Sequence, residues 1–486
     1  MIKGLFLRNT AIVAVLFVIA PAFSNGSKDT SLTKTGISSG VVQKPSQITW
    51  MVHDGLNKEN GTAQWTAEFE RLTGIKMNLK AVSNNEYETI LDLAFASGDV
   101  PDVFDLSGSR YSQFIKQGAL ADLTDLVKKS ELWTAIDRSI WNGITVDGKI
   151  YGVPKDVPGG TVTYVRQDWL DRLGMKAPAT YAEFITMLRA FKEKIPECKV
   201  PFTAPGLYEA QYLREFYQNA MPDFTKNDKG IWIDGMADDS MAAALKRMQE
   251  AYKEKLIDVE VITNKTSSCR DEWFSGSVGV FTYWAGKWGQ TLSERLTANV
   301  PTAKVIPIDA IKETHYICVA PSALCIPSSR KPEQVAAIFK YFMEYMDDGA
   351  QGQVLFYNGV ENLMWKQVGD HIEPLPSLSN PKEKLMKAFF DPATPVRKMK
   401  LSDKKINYSG IFVQSLAIQN KDIRQLPVQP VSKKYVKISS DLIMLRKEIL
   451  SKVVIGAMSV EDGMAKYRKE SAELGVPEVL AEYNQK

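Results

Sequence analysis

Cysteine and histidine are both scarce. Four Cys in 486 residues exclude a disulfide-dense scaffold, and three His (His53, His315 and His371) lie too far apart in sequence to select a metal site or a catalytic triad. A dominant charge is also missing. The 60 Lys plus Arg nearly balance 57 Asp plus Glu, and a net +3 over this length is too little to hold a phosphate backbone, so no nucleic-acid partner is expected. No G-x-S-x-G, H-E-x-x-H, Walker A loop or C-x-x-C occurs, and neither a cofactor nor a metal set is indicated. Paired carboxylates for glycoside hydrolysis leave no local pattern, so a two-acid enzyme stays open at this point. Beyond the N-terminus no apolar run is long enough to span a bilayer.

The N-terminus itself reads as a targeting signal. Lys3 and Arg8 precede an apolar stretch over residues 10–20, and Ala20-Pro21-Ala22 gives a small-x-small cleavage pattern. About 13 apolar residues fall short of the roughly 20 that a spanning helix needs, so export with cleavage before Phe23 is expected, leaving a periplasmic or outer-surface protein. Phe23 and Ser24 stand where a lipid-attachment Cys would be. Residues 24–46, rich in Ser, Thr, Gly and Lys, read as a flexible tether. An oxidising compartment would permit Cys318 and Cys325 to pair, but nothing in the sequence requires it.

Strands and helices then alternate. Residues 48–52 read as a strand and Trp65, Phe69 and Leu72 mark a helix stopped at Gly74; Ile75 to Ala81 alternate as a second strand. A helix through Leu91 and Ala94 and a strand at 102–106 follow. This order predicts an α/β fold with mostly parallel sheets flanked by helices, with ligands in the crevice beyond the strand ends. Asp147-Gly148 predicts a tight hairpin, and Pro154 and Pro158-Gly159-Gly160 punctuate the chain before a second α/β unit. That unit has a Thr180/Glu183 capping box, a helix through Met241, Leu245 and Met248, and a strand at 278–284 ending in Tyr283-Trp284. Residues 317–326 read as one further strand, and the tail from about Asn362 as mostly helical. The stretch 225–235 faintly resembles a calcium loop but lacks its alternating carboxylates and closing Glu, so a plain turn is expected. The basic cluster at 397–405 reads as a solvated face.

Five ordered blocks carry a resemblance: 69–75 (FERLTGI), 97–105 (SGDVPDVFD), 118–126 (GALADLTDL), 147–154 (DGKIYGVP) and 275–284 (SGSVGVFTYW). In this order they are similar to the signature blocks of extracellular solute-binding proteins of sugar ABC importers, and RQDWLDRLG at 166–174 resembles the longer lipoprotein-type members. The resemblance implies a two-lobed type II periplasmic-binding fold with discontinuous lobes, 47–157 plus 317–360 and 158–316 plus 361–486. Crossings are then expected near 154–160, 315–319 and 357–361. It also implies a monomer that captures a carbohydrate ligand between its lobes, closes by a hinge and delivers it to ABC transporter permease subunits without breaking a bond. A secreted carbohydrate-active enzyme and a ligand-binding sensor are the alternatives.

Aromatic residues are abundant, with 10 Trp, 18 Tyr and 20 Phe. Sugar C–H faces pack on such rings while hydroxyls bond to charged or amide side chains. The chemistry therefore selects Tyr283, Trp284 and Trp288 at the end of a second-lobe strand, His53 and Asp54 after the first strand, Ser107, Ser109 and Arg110 after the third, and Lys155 and Asp156 beyond the hairpin. Trp65, Trp169, Trp273 and Trp365 have mid-element settings that suit core packing.

Overall fold

The computed structural model describes residues 42–485 apart from Asp54, Asn85, Pro158, Asp422, Val431 and the Ser109 side chain. The targeting signal and most of the tether lie outside the described residues. Two apolar cores organise the rest.

The first core grows on the strand Gln47–His53, which pairs in parallel with Lys76–Val82. Between them the helix Thr62–Thr73 buries Trp65 and Phe69 at i and i+4 and stops at Gly74, whose φ of 68° is open to glycine at no steric cost. Trp50 sits at the centre, fully buried, with the rings of Trp65, Phe342, Phe356, Phe389 and Phe390 at 4.7 to 6.1 Å. Buried aromatics of this size dominate core energetics, each pair adding about 0.5–1.5 kcal/mol beyond its area. The strand Ala323–Cys325 runs antiparallel between Phe104–Leu106 and Gly152–Pro154. The expected hairpin is present, with Asp147 and Gly148 both at positive φ (52° and 75°).

The second core surrounds a four-stranded sheet ordered Val305–Ile308, Thr161–Arg166, Val278–Trp284, Val200–Thr203. Trp169 and Trp273 are fully buried here, and Thr180 caps the helix Tyr181–Lys194 by accepting from the Glu183 amide. The α/β class holds, but the sheets are mixed rather than mostly parallel. Val278–Trp284 is parallel to Val200–Thr203, to which helices connect it, whereas Thr161–Arg166 is antiparallel to both neighbours. That strand is entered straight from a crossing segment, without the helical crossover that parallel pairing requires.

The crossings are built from short strands. Gly160 bridges Cys318, and Tyr316–Cys318 pairs in parallel with Ile423–Gln425. Residues 317–326 are therefore two strands, broken over 319–322 around Pro321 as the chain changes lobe. The third crossing also departs from expectation. Met364, Trp365, Ile372, Phe389, Phe390 and Val396 pack in the first core, so residues 364–396 do not join the second lobe and the chain does not leave at 357–361. It leaves after Ile406, which bridges Ile372, and enters the helix Gly410–Lys421 on the second lobe, where Ser415 Oγ accepts from the Gly286 amide at 2.9 Å. The apolar side chains at 389–390 complete the Trp50 cluster, which outweighs sequence order.

A Cβ at Gly160 would lie 2.7 Å from the Ile317 carbonyl oxygen, closer than real contacts allow. Gly160→Ala is expected to cost about 1–3 kcal/mol by forcing the crossing strands apart, read as a lower urea midpoint. An unchanged midpoint would show that the crossing tolerates the methyl.

Three smaller expectations resolve as follows. Asn227 Oδ1 accepts from the Lys229 and Ile231 amides, so 225–235 is a hairpin turn, and no metal-ligand cluster occurs among the described residues. All four Cys are free, with Cys318 and Cys325 both buried on separate strands. The basic cluster is not simply a solvated face: Arg397 is buried and bonds Glu131 at 2.9 Å and the Asp347 carbonyl at 2.8 Å.

Asp347 is itself fully buried, with Tyr357 Oη donating to Oδ1 at 3.0 Å and no partner on Oδ2 among the described residues. Burial pushes its carboxyl up to about 7. Between about pH 4, the unfolded value, and about pH 7 the folded chain keeps a proton that the unfolded chain releases, so this group's contribution to stability falls as pH rises through that window. Asp347→Asn is expected to flatten the loss of thermal stability between about pH 5 and about pH 8. An unchanged slope would contradict this assignment.

Candidate ligand-binding cleft

A cavity of about 650 Å³ opens where the two cores meet, beside the crossings at Gly159-Gly160 and Val319-Ala320. One wall comes from the strand Val278–Trp284. Side chains alternate along a strand, so consecutive aromatics cannot share a face. Trp284 turns to the cavity, half-buried, with its backbone fixed by pairing to Thr161 and by Tyr164 Oη donating to its carbonyl at 2.9 Å. Tyr283 turns the other way. It is buried, stacks on Phe281 two residues earlier at 4.9 Å, and accepts from Arg270 Nη1 at 2.8 Å, so it belongs to the core. Trp288, in the first turn of the helix Lys287–Asn299, reaches the cavity with the edge of Tyr283 at 5.2 Å and the Arg270 guanidinium over its ring at 4.6 Å.

The opposite wall is polar at its base. Asp105, on the strand Phe104–Leu106, is buried and accepts from His53 Nε2 at 2.8 Å and Lys155 Nζ at 3.0 Å. Burial opposes its ionisation, but the Lys155 charge and the His53 bond prevail and hold its carboxyl well below the usual carboxylate range. Tyr87 locks the backbone behind it, accepting from the Asp105 amide at 2.9 Å and donating to its carbonyl at 3.1 Å. An ammonium has three donors and Asp105 takes one, so Lys155 keeps hydrogen-bonding capacity toward the cavity. Asp156 accepts from the Ser322 amide through Oδ1 at 2.9 Å, and burial pushes its carboxyl up.

The structure thus brings His53, Ser107, Lys155, Asp156, Trp284 and Trp288 to one cavity. Arg110 does not line it. It sits within the helix Gly108–Lys116, bonds Asp92 and Gln113, and lies over Phe114 at 4.9 Å. Asp54 and the Ser109 side chain lie outside the described residues. Sequence reasoning missed Phe389, Phe390, Asp391 and Lys387, which reach the cavity from the first core, and Gln419 and Asn420 from the helix Gly410–Lys421. The run Phe389-Phe390-Asp391 carries the same aromatic-plus-acid signature as the chosen residues and could have been selected on it.

The model of the family described as bacterial extracellular solute-binding protein matches residues 57–349. Among relatives, the melibiose/raffinose/stachyose-binding protein MelE of Bacillus subtilis is 31% identical over 238 residues, 47% of this chain and 52% of its own length. The diacetylchitobiose binding protein DasA of Streptomyces coelicolor is 28% identical over 206 residues, 42% of this chain and 46% of its own. The chain thus spans about half the length of the curated relatives it matches. Among solved structures, alginate-binding protein AlgQ2 without calcium superposes with a TM-score of 0.67 at 21% identity, covering 91% of this chain and 98% of that one. A solute-binding protein from Bifidobacterium longum infantis gives 0.66 at 16% identity, covering 91% and 98%. These likenesses show the two-lobed periplasmic-binding fold, and the family match covers well over half the chain: it belongs to the bacterial extracellular solute-binding proteins.

Proposed function

We propose that this protein is an extracytoplasmic receptor that captures a sugar or oligosaccharide in the interlobe cavity and delivers it, as a monomer and without chemical change, to the permease of an ABC importer. The carrying observation is the cavity's composition. The half-buried rings of Trp284 and Trp288 provide flat apolar faces, while Lys155, Asp156, Asp391 and Gln419 supply donors and acceptors. A pyranose needs both kinds of surface at once, and burial between lobes strengthens each polar contact. The relatives named for melibiose, raffinose, stachyose and diacetylchitobiose binding support the ligand class. Export agrees with the family, and among the described residues no helix is long and apolar enough to cross a membrane.

Calorimetric titration against neutral and uronic-acid oligosaccharides, followed by chromatography of the same mixtures, tests this reading. Saturable binding with intact sugar is expected. Shortened sugar would replace the receptor by an enzyme, and silence across the panel would remove carbohydrate as the ligand.

A further inference from the structure

A second cavity of about 610 Å³ lies on another side of the same crossings, walled by His315 just before one crossing strand, by Ile317 on it, and by Arg424 to Pro427 on and beyond the strand paired with it. Its lining includes Arg214, Lys226 and Arg424 against Asp228 and Asp238, and Asp238 is occupied in capping a helix through the Ser240 amide at 2.9 Å. The two arginines set its character.

Arg214 is 3% exposed, so its charge sits almost wholly within the protein. Nε donates to the His315 carbonyl at 3.0 Å and Nη2 to Thr314 Oγ1 at 3.0 Å and to the Gln218 carbonyl, but Nη1 meets only the Met221 thioether at 3.8 Å. Among the described residues no carboxylate forms an ion pair with Arg214 or with Arg424, and both arginines line the same cavity. Glu215, the next residue, does not line the cavity; its Oε1 accepts from Thr163 Oγ1 at 2.5 Å. Burial pulls the Arg214 guanidinium down to about 10; the neighbouring Glu215 carboxylate offsets part of that pull and the Arg424 charge adds to it. A buried charge that is only partly compensated is costly, and a planar guanidinium with spare donors is suited to a tetrahedral or carboxylate oxyanion.

We propose that this cavity is an oxyanion site in which Arg214 and Arg424 hold a phosphate or carboxylate group. It is distinct from the sugar cavity, and its walls are the strands that join the two lobes. Its volume exceeds that of one ion, so the group could arrive free or on a small molecule; the shared chemistry is the oxyanion.

The test is calorimetric titration of the purified protein with inorganic phosphate, sulfate and glucose 1-phosphate at constant ionic strength, repeated with Arg424→Gln and Arg214→Lys. Arg424 is exposed and forms no ion pair among the described residues, so its replacement is expected to leave folding intact even if Arg214→Lys does not. Saturable phosphate binding, weakened at least about tenfold in Arg424→Gln with an unchanged anion-free unfolding midpoint, is expected. Tighter binding of glucose 1-phosphate assigns the site to a phosphorylated small molecule and equal binding to the free ion; both support it. No saturable binding of any of the three, or equal affinity in wild type and Arg424→Gln, would overturn the proposal.

Discussion

Replacing Trp284 by Ala is expected to weaken oligosaccharide binding by about 2–4 kcal/mol, or roughly 30- to 1000-fold, with little change in stability. The asymmetry follows from how the residue is held. Its backbone is locked by strand pairing and by Tyr164, so the ring is presented on a rigid element, while the ring itself is only half-buried and leaves little cavity in the core when removed. On the proposed function, what the variant loses is the face on which a sugar ring would stack. Trp284→Phe should recover much of the affinity, because a smaller aromatic still offers a face. Tyr283→Phe behaves in the opposite way: it removes the bond from Arg270 within the core and should lower stability while leaving affinity nearly intact. Titration calorimetry with the tightest-binding sugar, beside urea unfolding of each variant, separates the two roles. Equal affinity in wild type and Trp284→Ala would remove this strand end from the binding site.

The second large effect concerns Arg446, which is fully buried in the helix Lys433–Val454. Its guanidinium meets Asp223 Oδ1 at 2.6 Å and Asp234 Oδ1 at 2.9 Å, and Nε donates to Tyr467 Oη at 2.9 Å; Tyr467 in turn donates to Asp234 Oδ2 at 2.7 Å. Burial alone would pull the arginine down, but the two carboxylates raise it well above its ordinary value, so the cluster is charged on both sides. It fastens two C-terminal helices to the hairpin at 224–234. Arg446→Met keeps most of the volume but strands Asp234, 5% exposed, without its cation. A loss of about 3–5 kcal/mol is expected in urea unfolding, since an uncompensated buried charge costs more than the pair contributes. Replacing Arg446, Asp223 and Asp234 together by apolar residues should restore much of that loss. Sugar affinity should not move, because none of these residues lines the cleft. A loss below about 1 kcal/mol in Arg446→Met would show that the cluster is solvated rather than buried.

Much of this architecture is legible in the sequence, for identifiable reasons. The first β-α-β run is clear because Trp65 and Phe69 keep helical spacing and Gly74 ends the helix. The hairpin at Asp147-Gly148 is clear because only a few residue types accept positive φ at both positions. What escaped was non-local. Strand direction depends on whether a strand is entered through a helix or a crossing, and nothing within Thr161–Arg166 records that. The stretch from 364 to 396 has little periodic structure, so its membership of the first core emerges only when Phe389 and Phe390 meet Trp50. The same gap hides part of the cleft, because sequence order alone places Lys387 to Asp391 with the second lobe whereas Phe389 and Phe390 pack in the first core. Tyr283 and Arg110 illustrate a second limit: both neighbour the cleft in sequence, but strand alternation turns one inward and helical geometry carries the other to Asp92.

The most direct measurement is hydrogen exchange of the protein with and without its tightest-binding oligosaccharide. Simultaneous protection is expected at 284–289 on one wall and at 155–157 and 387–394 on the other, because ligand held between lobes must quiet both walls. Protection confined to one wall, or spread outside the cleft, would contradict capture between the lobes.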